Sequence, residues 1–352
     1  MGCLRSLTTD GLAMAPDNLQ TERIEWVDYA KGFCIIAVVT LYAAGQARGT
    51  LDSAGWMQYW VDFAKPFRMP DFFLLSGLFL ARGINRSWRH YFDRKVVHFL
   101  YFYVLWSIIY MTYRIAIGEF AGENLIYITK SFVSMSLFWP FSQLWFILML
   151  PIFFIATRLI KGAPVWLIFP ILCLVHLFPP VDVQMSMMPN QFFERFVFFY
   201  AGYAFAPHFF SFARKVQEHP WGALVMLALW VVVNSLLVFN GFLEYTIVTL
   251  LLGFCGAYAV IAAGALLQKV TFLGWLQYLG ANSIIIFLPF YLPMKLISLI
   301  MLSVHASPPP GLFAAVLTLL TILASVLLYQ LTQKYNVGKW LLHRPAWSKI
   351  AP

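Results

Sequence analysis

Three stretches of this chain, 221–240, 245–267 and 312–330, contain no aspartate, glutamate, lysine or arginine. Each is long enough to cross a hydrocarbon core of about 30 Å as a helix, which takes about 20 residues. A backbone inside lipid must satisfy its own polar groups, so such runs fold as helices rather than loops or open strands. Only 11% of residues are charged, whereas 61% are hydrophobic and 18% aromatic. The sequence therefore predicts an all-α fold, a polytopic integral membrane helical bundle. Hydropathy places ten transmembrane helices at 30–47, 66–82, 95–113, 141–158, 164–181, 192–210, 221–240, 245–267, 279–301 and 312–330. The first two are short and polar at their edges. The membrane domain is expected over 29–332, between an N-terminal segment, 1–28, and a tail, 333–352. No soluble domain or internal repeat is evident.

An even number of spans puts both termini on one side. Most of the 24 lysines and arginines then fall on that side, leaving Arg48, Lys65, Arg68, Arg114, Lys130, Arg195 and Lys295 on the other. Basic connectors favour the cytoplasmic face. The expected location is thus the cell membrane, multi-pass, with both termini cytoplasmic. The net charge of +9 reads as topology, so membrane lipids rather than nucleic acid are the expected partners. Residues 1–28 lack the apolar core of a secretory signal peptide. The start Met1-Gly2-Cys3-Leu4-Arg5-Ser6 matches a myristoylation pattern beside a palmitoylatable cysteine, a short pattern of low specificity. Cys34, Cys173 and Cys255 lie in apolar spans without paired metal spacing and read as small buried hydrophobes. No metal site and no permanently bound cofactor are expected.

Function must be sought where polar residues interrupt the apolar pattern. Asp28 and Lys31 precede the first span at i, i+3 spacing and would share a helix face. They read either as an interfacial ion pair flanked by Trp26 and Tyr29 or as site residues. Arg68 and Asp71 repeat that spacing around Pro70, where charges beside lipid should face the bundle interior or a water-filled cavity. A structural ion pair and a functional pair remain the two readings there. Ser76 and Gly77 follow, and they suit close helix contact. The connector 82–95 carries Arg82, Arg86, Arg89, Arg94 and Lys95 against one carboxylate, Asp93. Guanidinium groups match phosphate geometry, which suggests a phosphate-bearing donor. Topology control and binding of anionic headgroups compete with that reading. Gln143-Leu144-Trp145-Phe146 opens the fourth span, and Asn282 and Ser283 open the ninth. Trp145, Asn282, Ser283 and Ser76 are candidate cavity-lining residues. His98, His176 and His208 are isolated in apolar surroundings and read as interhelical hydrogen-bonding residues.

At these clusters the chain resembles the membrane-bound acyltransferase 3 family. The resemblance runs through Trp26-Val27-Asp28-Tyr29-Ala30-Lys31-Gly32, Phe67-Arg68-Met69-Pro70-Asp71-Phe72-Phe73, Ser76-Gly77 and Arg94-Lys95. It continues through Leu144-Trp145-Phe146, Tyr200-Ala201-Gly202-Tyr203 and Leu279-Gly280-Ala281-Asn282-Ser283. Matches in this order over nearly the whole chain are much more specific than any one motif. The resemblance implies a ten-helix integral fold. It also implies transfer of an acyl group, commonly from cytoplasmic acyl-coenzyme A, to an extracytoplasmic carbohydrate or glycan. Family members usually carry a basic residue, ten intervening residues and a histidine in the first-helix region. Lys31 matches the basic position, but Tyr42 occupies the histidine position. Tyrosine, with an unperturbed pKa of about 10, is a poor base near neutral pH. Eleven residues at the helical rise separate Lys31 from Tyr42 by about 16 Å.

The resulting expectation is an O-acyltransferase using acyl-CoA as co-substrate. Its candidate catalytic residues are Lys31, Tyr42, Asp28, Arg68 and Asp71, with Arg82, Arg86, Arg89, Arg94 and Lys95 as the donor-binding set. Arg68 would stabilise oxyanion charge, Asp28 would orient Lys31, and Asp71 would orient Arg68 or accept the proton. Tyr42 would orient the acceptor or take part in transfer. A glycan or lipid-linked precursor exporter and a noncatalytic acyltransferase-like subunit are the rival readings.

Overall fold

The computed structural model describes residues 24–180, 187–304 and 308–350. The expected lipidation pattern at Gly2 and Cys3 lies outside these residues. Among the described residues there are helices and no strand. In chain order the helices are α1 (Glu25–Leu51), α2 (Met57–Ala64), α3 (Arg68–Gly77), α4 (Trp88–Phe92), α5 (His98–Ala116) and α6 (Leu125–Leu137). Next come α7 (Leu144–Ile160), α8 (Val165–Leu177), α9 (Met187–Ala204), α10 (Ala206–Glu218), α11 (Pro220–Phe239) and α12 (Thr246–Leu267). The chain continues through α13 (Gly274–Ala281), α14 (Ser283–Phe287), α15 (Tyr291–Val304), α16 (Pro310–Tyr335) and α17 (Lys339–Leu342). A π-helical turn, Asp93–Val97, joins α4 to α5 without a break.

The all-α membrane bundle expected from hydropathy is what the chain forms. α1 is its axis: 72% of its most apolar window is buried, against 17% for α11. The small residues Ala30, Gly32, Cys34, Ala37, Ala43, Ala44 and Ala47 are buried along α1 and let α12, α13 and α16 approach closely. α11 instead turns Trp221, Val225 and Leu229 outward, as a lipid-facing helix does. Five expected spans are single helices long and apolar enough to cross a membrane: α1, Trp88–Ala116, α11, α12 and α16.

The remaining expected spans depart from straight helices. The span expected at 192–210 straddles the join of α9 and α10, which meet at 74° around Phe205. The 66–82 span holds only the ten-residue α3, after which the chain turns. α7 and α8 have 17 and 13 residues, and 279–301 breaks into α13, α14 and α15. Pro289, between α14 and α15, lacks a backbone donor and cannot carry a helix through the last break. Irregular backbone inside a bilayer persists only where protein satisfies it. Here the Tyr110 hydroxyl donates to the Leu288 carbonyl at 2.6 Å. Gln143 Nε2 lies 3.3 Å from that oxygen and 3.4 Å from the Phe287 carbonyl. α6 falls in a segment expected to connect spans, and it has no buried residue.

Two helix crossings depend on missing side chains. An ideal Cβ at Gly280 would stand 1.7 Å from the Asp28 carbonyl, and one at Gly32 would stand 2.2 Å from the Leu276 carbonyl. In the α3–α9 crossing, Cβ atoms at Gly77 and Gly202 would meet the Phe199 and Leu74 carbonyls at 2.2 and 2.1 Å. Long-range bonds then sort the connectors into two ends. Arg158 donates to the Arg86 carbonyl, Lys161 to Asn85, Arg344 to Asp93 and Lys269 to the Gln217 carbonyl at one end. At the far end Lys295 bonds Gln46, Asn234 donates to the Phe63 carbonyl, and Gly55 abuts Gly311.

Candidate active site

Tyr42 lies on the wall of a far-end cavity of about 190 Å³. Tyr42 from α1, Arg68 from α3, Gln143 and Trp145 from the start of α7, and Gln191 and Arg195 from α9 line it. Tyr42 packs edge-on against Phe290, with ring centroids 5.3 Å apart. Its hydroxyl faces Ser142, Trp145 and the Arg68 guanidinium. Arg68 is the first residue of α3 and is 7% exposed. It has Nη1 3.4 Å from the Val61 carbonyl and lies within electrostatic reach of the like charge on Arg195. Arg195 is held by Glu194 at 3.2 Å and by Gln191 Oε1 at 3.3 Å. The tertiary structure thus brings a phenol and a pair of guanidiniums together from three helices.

Arg195, Gln191 and Gln143 were not among the candidates from sequence. Arg195 had been assigned to topology, although a cation inside the aromatic run from Phe192 to Phe199 is itself a functional signal in a membrane helix. Gln143 is buried, with Nε2 held at the Pro289 break and Oε1 without a hydrogen-bond partner among the described residues.

Other expected residues lie elsewhere. Asp71 does not line the Tyr42 cavity and makes no ion pair with Arg68. The expectation that Asp71 orients Arg68 is corrected accordingly: Arg68 reaches back from the helix start toward Val61, while Asp71 faces the Cys34 side of α1. Asp71 is 1% exposed, and neither carboxylate oxygen has a hydrogen-bond partner among the described residues. Of the expected cavity-lining residues, Trp145 lines the Tyr42 cavity and the others do not. Ser76 donates to the Phe72 carbonyl at 2.7 Å. Asn282 donates to the Tyr278 carbonyl at 2.9 Å in the α13–α14 break, with Ser283 beginning α14. Both bonds to i−4 carbonyls hold these side chains against their own helix.

Lys31 lies toward the opposite end of α1, where its ammonium stands 5.8 Å from the Phe79 ring centroid. Asp28 is buried one turn away, beneath Gly280. Lys95 sits 4.7 Å over the Phe154 ring, within electrostatic reach of Lys31, Arg86 and Arg94. Arg82 approaches the same Phe79 ring as Lys31, with its guanidinium carbon 5.4 Å from the centroid. Arg158 anchors the connector, 4.1 Å from the Trp88 ring and 4.3 Å from the Tyr91 ring, with Nη2 2.6 Å from the Arg86 carbonyl. The expected donor residues do not form one patch. Arg89 donates twice to the Ile350 carbonyl, at 3.1 and 2.8 Å, and Arg94 faces a second cavity beside Arg344. Among the described residues no group of His, Cys, Asp and Glu converges as metal ligands do. Cys34 is buried as expected, whereas Cys255 is exposed on the outside of the bundle.

These features define a polytopic α-helical membrane protein with a basic centre at one end of its axial helix and a tyrosine–arginine cavity toward the other. A family profile described as an acyltransferase domain matches residues 24–330. The chain belongs to that family, the acyltransferase 3 membrane proteins, as the motifs from Trp26 to Ser283 implied. No curated protein and no solved structure matches it significantly.

Proposed function

We propose that this protein transfers an acyl group from acyl-CoA to a hydroxyl of a carbohydrate or glycan across the cell membrane, with both termini cytoplasmic. The acceptor oxygen attacks the thioester carbonyl carbon, the carbon–sulfur bond breaks, and the departing thiolate takes up the proton. Negative charge collects on the carbonyl oxygen on the way, and preorganised cations are the strongest device for holding it. The observation that carries this reading is the meeting of Tyr42, Arg68 and Arg195 in one cavity. Arg68 stabilises the oxyanion, Arg195 supports it from α9, and the Tyr42 hydroxyl orients the acceptor. Lys31, with Lys95 near it and Arg86 and Arg94 within electrostatic reach of Lys95, guides the donor from the cytoplasmic end. Asp71, lying beside Cys34 between these levels, is the reserve proton acceptor.

Purified protein in lipid nanodiscs, given radiolabelled acyl-CoA and a panel of sugars, tests the proposal. Acylated sugar that disappears in Arg68→Gln is the expected result. No covalent product in nanodiscs, with sugar moved across reconstituted vesicles, replaces the enzyme by an exporter.

A further inference from the structure

Beside the Tyr42 centre lies a larger far-end cavity of about 340 Å³, and Arg195 lines both. We infer that this neighbouring cavity is the seat of the acceptor, and that His176 and Asn190 recognise it as a donor of hydroxyl protons. His176 and Asn190 line the cavity and are only 4% and 8% exposed. His176 Nδ1 lies 2.8 Å from the Glu194 carbonyl oxygen. A carbonyl only accepts, so Nδ1 carries the proton and Nε2 of the neutral ring is an acceptor. Asn190 Nδ2 donates to Glu194 Oε1 at 2.9 Å, which fixes the amide and leaves Oδ1 as an acceptor. Neither His176 Nε2 nor Asn190 Oδ1 meets a donor among the described residues. Gln143 repeats the pattern in the adjoining cavity, with Nε2 engaged and Oε1 unmet.

Buried acceptors left unmet are costly, so this run of them calls for a ligand rich in O–H donors. An acyl chain or a fully ionised phosphate offers none, whereas a sugar or cyclic polyol offers several. Glu194 and Arg195 neutralise each other at 3.2 Å and the remaining lining cation, Lys65, is exposed to solvent, which suits a neutral ring. A cavity of this size is within the range of small-molecule sites. The use made of the ligand rests on the acyl-transfer reading, but its binding does not.

The test uses the full chain in nanodiscs without acyl donor. Binding of methyl glucoside, methyl N-acetylglucosaminide and myo-inositol is followed by saturation-transfer NMR, with inorganic phosphate as the control. At least one hydroxylated probe binds the parent. His176→Phe keeps a ring against Phe198 but removes the acceptor, and it weakens that binding about tenfold. His176→Gln, able to donate to the Glu194 carbonyl while still accepting, retains most of it. In the parent, the bound sugar also shifts the His176 Nε2 resonance, a readout independent of whether the variants fold. Absence of sugar binding, equal binding by parent and His176→Phe, or an unmoved Nε2 resonance overturns the assignment and leaves these acceptors to water only. Turnover assays separate the two proposals. Sugar bound without acylated product rejects acyl transfer and keeps the seat, whereas product formed with an unchanged acceptor KM in His176→Phe rejects the seat and keeps acyl transfer.

Discussion

Tyr42 and Asp71 are rivals for the proton-handling role, and their surroundings separate them. Tyr42 shares a cavity with Arg68, whereas Asp71 is enclosed beside Cys34. Tyr42→Phe removes only the polar tip and is expected to lower kcat about a hundredfold, with the thermal midpoint nearly unchanged. Asp71→Asn is expected to lower kcat less, because its carboxylate does not line that cavity. Single-turnover kinetics on both variants read the order directly, and the reverse order moves proton transfer to Asp71. Tyr42→His introduces a side chain that titrates near neutral pH; a gain in turnover would mark the parent as catalytically restrained. On the donor side, Arg86→Gln combined with Lys95→Gln is expected to raise the acyl-CoA KM about tenfold or more. The parent's donor KM should also rise with ionic strength, because exposed charge contacts are screened. An unchanged KM in the double variant leaves the connector with topology alone.

At the scale of the elements, the motif glycines set how closely the helices approach one another. Gly202→Ala drives a Cβ into the Leu74 carbonyl at 2.1 Å, and backbone cannot swing aside as a side-chain tip can. Overpacking of this kind costs about 1–3 kcal/mol, which should appear as a lowered thermal midpoint in detergent. Gly222→Ala is the matched control, since nothing lies within 4 Å of that added methyl. It lies in the first turn of a helix and should be neutral or slightly stabilising. Equal effects from the two substitutions would mean that the α3–α9 crossing is not tightly packed. The π-helical turn Asp93–Val97 is a second local device. It wraps Lys95 over Phe154 while Asp93 receives Arg344 Nη2 at 2.5 Å. Bulges of this type tend to mark functional stretches of a helix.

For the whole molecule, the proposed orientation has a direct test. In a cysteine-free background, Ser87→Cys lies at the connector end and Ser53→Cys at the far end, and both positions are exposed. A membrane-impermeant maleimide applied to intact cells should label position 53 and spare position 87 until the membrane is opened. Labelling of 87 from outside reverses the orientation, and equal labelling of both sites breaks the two-ended arrangement.

The sequence alone determined the all-α membrane class, the places of the five long helices and the family, because charge-free runs and ordered motifs are local in the chain. It also marked Tyr42 and Arg68. It did not reveal the short and broken helices, since a hydropathy window averages across Asn282, Pro289 and Phe205 without sensing where the axis turns. Nor did it bring Arg195 and Gln143 to Tyr42, or keep Asp71 away from Arg68. Those relations depend on which faces of α3, α7 and α9 meet around α1. Side-chain direction across a helix crossing is set by close packing at glycines such as Gly77 and Gly202, and only the tertiary structure decides it.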